Sequence, residues 1–284
     1  MRLSLVGLIA AAPAALGCTG AVAGADGVDA EPASHTNAVV AVERTSDPVE
    51  GVQAQASARF LRVSATTSTD EALSAVGASL DLPAVGTCAA IGTLDEARTA
   101  PGLPAPVVEL VDVGSVSLEA AGGETLLWPR QLPDVTDVVS GVVYARAATD
   151  PSALPPSARY VVRVGGAGLA PLEMAAWAPG PADDIRLSGE DTGQVVASGA
   201  SIDLSWATSS AGDDLVYVDV TPHDVRCVFG DTGTASLSTV FLDEKGSLVL
   251  HRLHREWTSG WATRGIETAE VRFDFARRVG YTRR

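Results

Sequence analysis

Apolar and polar residues alternate in a way that predicts strands along most of the chain. In residues 201–206, Ile202, Leu204 and Trp206 are separated by polar residues, the two-residue period of a strand with one buried face. Residues 266–275 show the same period. Similar segments occupy 59–63, 107–113, 115–119, 142–146, 160–164, 215–220, 225–229 and 247–254. Turn residues, not amphipathic helices, separate these segments, which predicts a mainly β fold.

One short helix is predicted at residues 70–80, with Ser68 or Thr69 as its cap. A Pro-rich break at 178–181 predicts a domain boundary. Residues 19–57 show no sustained apolar period, which indicates a flexible tether. The sequence therefore predicts two β-sandwich-like domains after a signal peptide and a tether. The expected divisions are 1–17 for the signal peptide, 18–57 for the tether, 58–180 for the N-terminal domain and 181–284 for the C-terminal domain.

The C-terminal part, from about residue 182, resembles an immunoglobulin-like or fibronectin type III-like sandwich. The resemblance rests on a strand ending in Trp206, an acidic turn, a strand bearing Tyr217 and a strand containing Cys227. The same order is similar to bacterial envelope lipoproteins that carry such domains. The resemblance implies a sandwich of antiparallel sheets, although the second cysteine of an antibody-type bridge is absent from this part of the sequence.

The N-terminus has the features of an export signal. Arg2 precedes an apolar run, and small residues lead to Cys18. The segment 15–18, Ala-Leu-Gly-Cys, resembles the lipoprotein signal in which the cysteine receives lipid. This implies a protein held on the bacterial envelope by lipid on Cys18. The alternative is cleavage after the Ala-Val-Ala of residues 21–23, which would release a soluble secreted protein.

The net charge of −15 is uneven, because residues 245–284 carry nine basic and four acidic residues. The acidic bulk argues against nucleic acid as a partner, since phosphate binding requires a basic surface. The basic end indicates either contact with anionic lipid or polysaccharide, or an edge strand carrying arginines.

Either cleavage route leaves Cys88 and Cys227 in the mature chain. An even pair in an oxidising compartment predicts a disulfide, and two buried free thiols are the alternative.

No catalytic or cofactor motif is evident. The sequence lacks a G-x-S-x-G elbow, an H-E-x-x-H zinc helix and a phosphate loop, and neither a cofactor nor a metal is predicted. His251 and His254 fall in a predicted strand, where a three-residue spacing places side chains on opposite faces. Acidic residues in predicted turns are the alternative metal candidates, for calcium: Asp183, Asp184, Glu190, Asp191, Asp213, Asp214 and Asp231.

Trp257 and Trp261 lie in a predicted loop flanked by Arg255 and Arg264. Exposed rings at this position could stack on sugars, whereas buried rings would cap the core. The leading hypothesis is a non-catalytic envelope lipoprotein with a structural, adhesive or protein-interaction role. A carbohydrate-binding module that uses the two tryptophans, with envelope polysaccharide as its partner, is the first alternative. An enzyme on a sandwich scaffold is the second.

Overall fold

The computed structural model describes residues 34–92, 108–121, 123–135, 139–166, 169–190, 195–197, 199–209, 214–262 and 265–283. The strands of the first half are β1 (Ser34–Asp47), β2 (Gly51–Ser64), β3 (Cys88–Ala90), β4 (Val108–Leu110), β5 (Ser115–Ala120), β6 (Gly123–Val135), β7 (Val139–Thr149), β8 (Arg159–Gly166) and β9 (Leu169–Trp177). Those of the second half are β10 (Arg186–Leu187), β11 (Val195–Ala197), β12 (Ser201–Ser205), β13 (Leu215–Thr221), β14 (Val225–Gly230), β15 (Thr234–Ser238), β16 (Lys245–Thr258) and β17 (Thr268–Arg283). The mainly β, sandwich-like fold class is confirmed.

The helix α1 (Thr69–Ala75) confirms the predicted short helix and its cap. The Ser68 hydroxyl accepts from the Glu71 amide at 3.2 Å, and the Glu71 carboxylate accepts from the Ser68 amide at 2.8 Å. This reciprocal arrangement satisfies two amides at the start of the helix. Three short 3-10 turns lie at 151–153, 182–184 and 239–241. No helix in these parts of the chain is long and apolar enough to cross a membrane.

Strand β1 joins the two ends of the chain in one sheet. It runs parallel to β17 on one side, where Val40 is opposite Val271. On the other side it is antiparallel to β2, where Val40 is opposite Ala58. The large sheet continues in the order β3-β14-β13-β16-β17-β1-β2-β4-β7-β6-β5-β8-β9, with β11 also paired to β17.

Two predicted divisions are therefore wrong. The predicted tether, residues 18–57, includes β1 and half of β2, because the apolar run Ala38–Val42 is buried on both of its faces. The predicted boundary at 180/181 does not divide compact units, since residues 32–284 form a single unit. The physical reason is β1, which pairs with a strand from each predicted domain. The signal peptide, residues 1–17, lies outside the described residues.

The main core lies on the inner face of the large sheet. Phe60, Tyr160 and Phe273 are fully buried there, and the small sheet β10-β12-β15 adds Ile202 and Leu204. Tyr160 and Phe273 pack with ring centroids 5.0 Å apart, although they come from opposite halves of the chain. The packing of aromatic rings from both halves explains why they form one unit.

The outer face of the same sheet is partly covered by the segment that follows β2. Leu73 of α1 packs on Leu61 and Val39, and Leu80 and Leu82 pack near Tyr217 and Leu253. This covering segment, residues 68–92, is fixed at three points. The Arg272 guanidinium donates to the Ala78 carbonyl at 2.9 Å, Arg226 donates to the Leu80 carbonyl, and Cys88 is bonded to Cys227.

The predicted disulfide between Cys88 and Cys227 is confirmed. The two residues face each other across β3 and β14 with Cα atoms 4.0 Å apart. The Cys227 side chain is buried in the main core, whereas Cys88 is exposed. The bridge therefore fastens the end of the covering segment to an edge of the large sheet.

The predicted arginine-bearing edge strand at the C-terminus is wrong. β17 is an interior strand, hydrogen-bonded to β16 on one side and to β1 and β11 on the other. Three of its four arginines are paired with carboxylates: Arg272 with Glu270, Arg277 with Glu190 and Arg278 with Asp47.

Reduction of the disulfide is expected to lower the free energy of unfolding by about 2–5 kcal/mol, because a long cross-link restricts the unfolded chain. Denaturant unfolding with and without a reductant would measure this loss. The Cys88→Ser/Cys227→Ser variant should match the reduced protein and should not respond to reductant. Alkylation of both thiols in the unreduced, denatured protein would contradict the bridge.

Candidate functional site

A cleft lies on the outer face of the large sheet, over strands β1, β2 and β17. Its volume is about 730 Å³, which is within the range of small-ligand sites. Strands β1, β2, β16 and β17 and the 3-10 turn after β7 supply its walls. Three carboxylates and one histidine line it: Glu43, Asp150, Asp274 and His251.

The register of the strands explains why these groups meet. Glu43 lies opposite Asp274 in the β1–β17 pair and opposite Gln55 in the β1–β2 pair, so all three share a face. His251 lies opposite Ala276, two residues from Asp274 on the same face. Every second residue of a strand projects from the same face, and residues directly opposite each other in paired strands project from that face too. Polar residues far apart in sequence can therefore form one surface.

A polar network lies at the end of the cleft. His251 Nδ1 is 2.9 Å from Asp274 Oδ1, and the Tyr217 hydroxyl donates to Asp274 Oδ2 at 2.5 Å. The Tyr217 and His251 rings stack with centroids 4.1 Å apart. Arg226 binds both oxygens of Asp219 at 2.7 Å and lies over the Tyr217 ring at 4.6 Å. Asp219 is on the other side of the histidine, 3.6 Å from Nε2.

Burial and charge set the protonation of this network. Burial alone would raise the pKa of Asp274. The charge and hydrogen bond of His251, the hydrogen bond from Tyr217 and the charge of Arg226 outweigh burial and hold this pKa below its ordinary value. Burial, together with the Asp274 charge, raises the pKa of Tyr217 well above its usual range. Asp274 is therefore an anion at neutral pH and Tyr217 remains a hydrogen-bond donor.

His254 faces the opposite side of the sheet from His251, as the three-residue spacing predicts. Its Nδ1 is 2.5 Å from Asp214 Oδ1, its Nε2 is 3.4 Å from Glu256 Oε1, and its ring lies near the buried Phe273. The hydrogen bond to Asp214 raises the pKa of His254 against the effect of burial, with further contributions from the charges of Asp214 and Glu256. The two histidines belong to separate acidic clusters.

Four of the seven acidic residues considered for calcium have protein partners, among them Asp214, which is paired with His254. Asp184 accepts from Arg252 at 3.1 Å, Glu190 from Arg277 at 2.5 Å and Asp231 from the Trp206 indole at 2.7 Å. Asp213 and Asp191 lie outside the described residues. Within the described parts of the chain, no group of three or more metal-ligating side chains converges.

The predicted sugar-binding pair is wrong. Trp261 is only 5% exposed, and its indole N–H donates to the Glu173 carbonyl at 3.1 Å. Trp257 lies at the end of β16 rather than in a loop and is 54% exposed, with the Arg255 guanidinium 4.8 Å from its ring centroid. The rings cannot form a joint platform because one is part of the core. Arg264 lies outside the described residues.

Arg255 also has a structural partner. Its Nε donates to the fully buried Glu270 at 2.5 Å, and Glu270 is shared with Arg272. Burial opposes ionisation of Glu270, but the two arginines hold its pKa below the ordinary value. Cys18 lies outside the described residues, so its lipidation stays a prediction.

Comparison with known proteins adds no family. No protein-family model matches the chain, and no curated protein matches it. Among solved structures, it is similar to the Fcho1 Mu homology domain of Danio rerio with bound Eps15 peptide. The identity is 11%, the TM-score is 0.26, and the match covers 88% of this chain and 97% of that one.

A second solved structure is the BSP domain of a biofilm associated protein. It has 11% identity and a TM-score of 0.15, over 60% of this chain and 26% of that chain. Neither likeness is close enough to identify a ligand or an activity.

The stability of the protein is expected to fall at alkaline pH through His254. Because its pKa is raised in the folded state, its contribution is complete below pH ~6.5 and is lost as the pH rises through the folded-state value. Denaturant unfolding between pH 5.5 and 9 would measure this trend. The His254→Gln variant should lose it, whereas the matched variant of the exposed His223, His223→Gln, should keep it. Equal pH profiles for wild type and His254→Gln would contradict this assignment.

Proposed function

We propose that the protein is a non-catalytic, lipid-anchored protein of the bacterial cell envelope that binds cationic segments of partner proteins in the acidic cleft. The observation that supports this most directly is the lining of the cleft. Glu43, Asp150 and Asp274 are carboxylates, and His251 is the single basic residue among the described residues that line it. Carboxylates in a concave site attract lysine and arginine side chains and increase the rate of their association.

The state of each carboxylate fits ligand binding. Glu43 is held by the Gln55 amide, and Asp150 accepts from the Ser152 amide at 2.9 Å. These hydrogen bonds orient the carboxylates and leave other lone pairs for a ligand. Asp274 is about seven-eighths buried at its side chain, so an ion pair formed there is screened less than one on the open surface.

The arrangement of His251 supports binding rather than catalysis. Its Nδ1 is bonded to Asp274, its Nε2 faces Asp219, and its ring face is against Tyr217. A general base needs a nitrogen directed at the group that it deprotonates. Both nitrogens here are directed at carboxylates, and Thr45 is the one hydroxyl among the described lining residues.

The anchor is the part of the proposal that rests on sequence alone. Cys18 follows a basic and apolar leader, and strand β1 begins at Ser34. Several acyl chains on one cysteine would hold the protein on the membrane stably.

Lipidation predicts that the full-length chain, expressed in a bacterial host with an alkyne fatty acid, is labelled and found in the membrane fraction. The Cys18→Ala variant should be unlabelled, while the neighbouring control Thr19→Ala should behave as the wild type. A soluble wild-type protein whose N-terminus is Gly24 would support ordinary signal peptidase cleavage and would overturn the anchor.

Binding in the cleft predicts that a fluorescent oligolysine peptide associates with the full chain in low salt. Glu43→Gln/Asp150→Asn should weaken this binding about tenfold, because two partly exposed ion pairs contribute roughly 0.5–1 kcal/mol each. Both replacements keep an acceptor for the local hydrogen bonds. Fluorescence anisotropy at two salt concentrations would measure the affinity.

The matched control is Glu124→Gln/Asp203→Asn, which removes the same charge from exposed positions outside the cleft. This variant should bind the peptide within about twofold of the wild type. If both double variants lose affinity equally, net charge alone governs binding, and the cleft is not the site.

A further inference from the structure

A second pocket on the outer face of the large sheet has the opposite charge. Its volume is about 320 Å³, and it lies between the covering segment and strands β1, β2, β6, β7 and β17. Four arginines are among its lining residues, in a chain whose net charge is −15: Arg59, Arg130, Arg146 and Arg272. Glu43 is the one carboxylate among its described lining residues.

Strand register places three of these arginines on one face. Arg59 of β2 and Arg130 of β6 are both opposite Val143 of β7, so one strand separates them. Arg272 lies opposite Ala41 of β1, in the neighbouring row. Residues directly opposite each other in paired strands project from the same side of a sheet.

Small residues form the pocket floor in the row of Arg272, beside the row of Arg59, Val143 and Arg130. Ala41, Ser57 and Ala145 are successive partners across β1, β2 and β7. Residues 77–80 of the covering segment form the opposite wall. The floor leaves space between the guanidinium groups that larger side chains would fill.

The arginines differ in how well they are satisfied. Arg272 donates to both oxygens of Glu270 at 3.1 Å and to the Ala78 carbonyl at 2.9 Å, so it is a fixed structural cation. Arg59 has a buried Nε without a hydrogen-bond partner among the described residues, and its Nη1 is 3.4 Å from the Ser57 hydroxyl. Buried donors are normally paired, so this atom lacks an acceptor.

The charge of Arg59 is also poorly compensated. Burial lowers the pKa of Arg59, and the positive charge of Arg272 lowers it further. The negative charge of Glu43 acts in the opposite direction but does not restore the ordinary value. Glu43 itself is engaged by the Gln55 amide at the border with the acidic cleft. A mobile anion in the pocket would supply the compensation that the protein groups do not.

We propose that this pocket binds a small oxyanion, either free phosphate or a phosphate monoester, with Arg59 and Arg130 as its principal donors. The planar guanidinium fork matches two oxygens of one phosphate, and two such groups can hold it from two sides. The anion would accept from the unpaired Arg59 Nε. This site differs from the acidic cleft in position and in charge, and it stands independently of the proposed function.

Isothermal titration of the purified full-length chain with inorganic phosphate, against chloride at equal ionic strength, would test the site. We expect saturable binding by the wild type and at least a tenfold loss in Arg59→Gln/Arg130→Gln. The single variant Arg130→Gln, at an exposed position, should also lose affinity and is the safer variant for folding. The matched control is Arg62→Gln/Arg163→Gln, which removes two exposed strand arginines outside the pocket and should bind within twofold of the wild type.

Two further ligands identify the source of the phosphate. Binding of soluble glycerol phosphate without binding to vesicles that contain phosphatidic acid, whose headgroup is a phosphate monoester, would assign a soluble ligand. Vesicle binding that is lost in Arg130→Gln would assign a lipid headgroup, and both results support the site. The absence of saturable phosphate binding by the wild type, or equal affinity in Arg130→Gln and the Arg62→Gln/Arg163→Gln control, would overturn the proposal.

Discussion

The pairing of β1 on both of its sides is the constraint on which the rest of the structure depends. β17, at the C-terminal end, and β2, near the N-terminal end, are neighbours only through β1. Val39, Val40 and Val42 are at most 2% exposed, so this strand contributes apolar area to both faces of the sheet. A strand with two buried faces strongly resists removal, because its loss would expose apolar surface and open two hydrogen-bonded ladders. The polar outer face exists because β1 brings Glu43 between Asp274 and Gln55.

The outer face of the large sheet carries two neighbouring pockets of opposite charge. Glu43, Asp150 and Asp274 line one cleft, and a short distance along the same strands Arg59 and Arg272 line the other pocket. Glu43 and Gln55 belong to both linings. Opposite charges next to each other partly neutralise, yet each pocket keeps an excess of one sign. A cation near Glu43 would reduce the compensation that this carboxylate gives Arg59, so occupancy of one pocket changes the electrostatics of the other.

Local sequence signals predicted local structure well. Ser68 and Glu71 form the capping box of α1, and the alternation of Ile202 and Leu204 matches the burial of β12. The Cys88–Cys227 bridge followed from cysteine count and compartment. These local signals gave wrong predictions where packing between distant parts of the chain determines whether a segment is a strand or is buried. Ala38–Val42 is a short apolar run within polar surroundings, and only its parallel partner β17 makes it a central strand. Trp261 falls in a predicted loop, but its indole N–H donates to a carbonyl 88 residues away and the ring is buried.

The polar clusters could not be predicted because they depend on register. Tyr217 and Asp274 are 57 residues apart, and Arg59 and Arg272 come from strands near opposite ends of the chain. No spacing in the sequence marks such pairs, since a one-residue shift in any ladder would move every side chain to the other face.

The covering segment reinforces this register, because arginines of β14 and β17 donate to its carbonyls at Leu80 and Ala78 while the disulfide fixes its end. The wall of the arginine pocket at residues 77–80 is thus held by the same side chains and the same bridge that fix the sheet beneath it. Loosening that segment would widen the pocket and remove the carbonyl that keeps Arg272 in place, so the anion site depends on the intact covering segment.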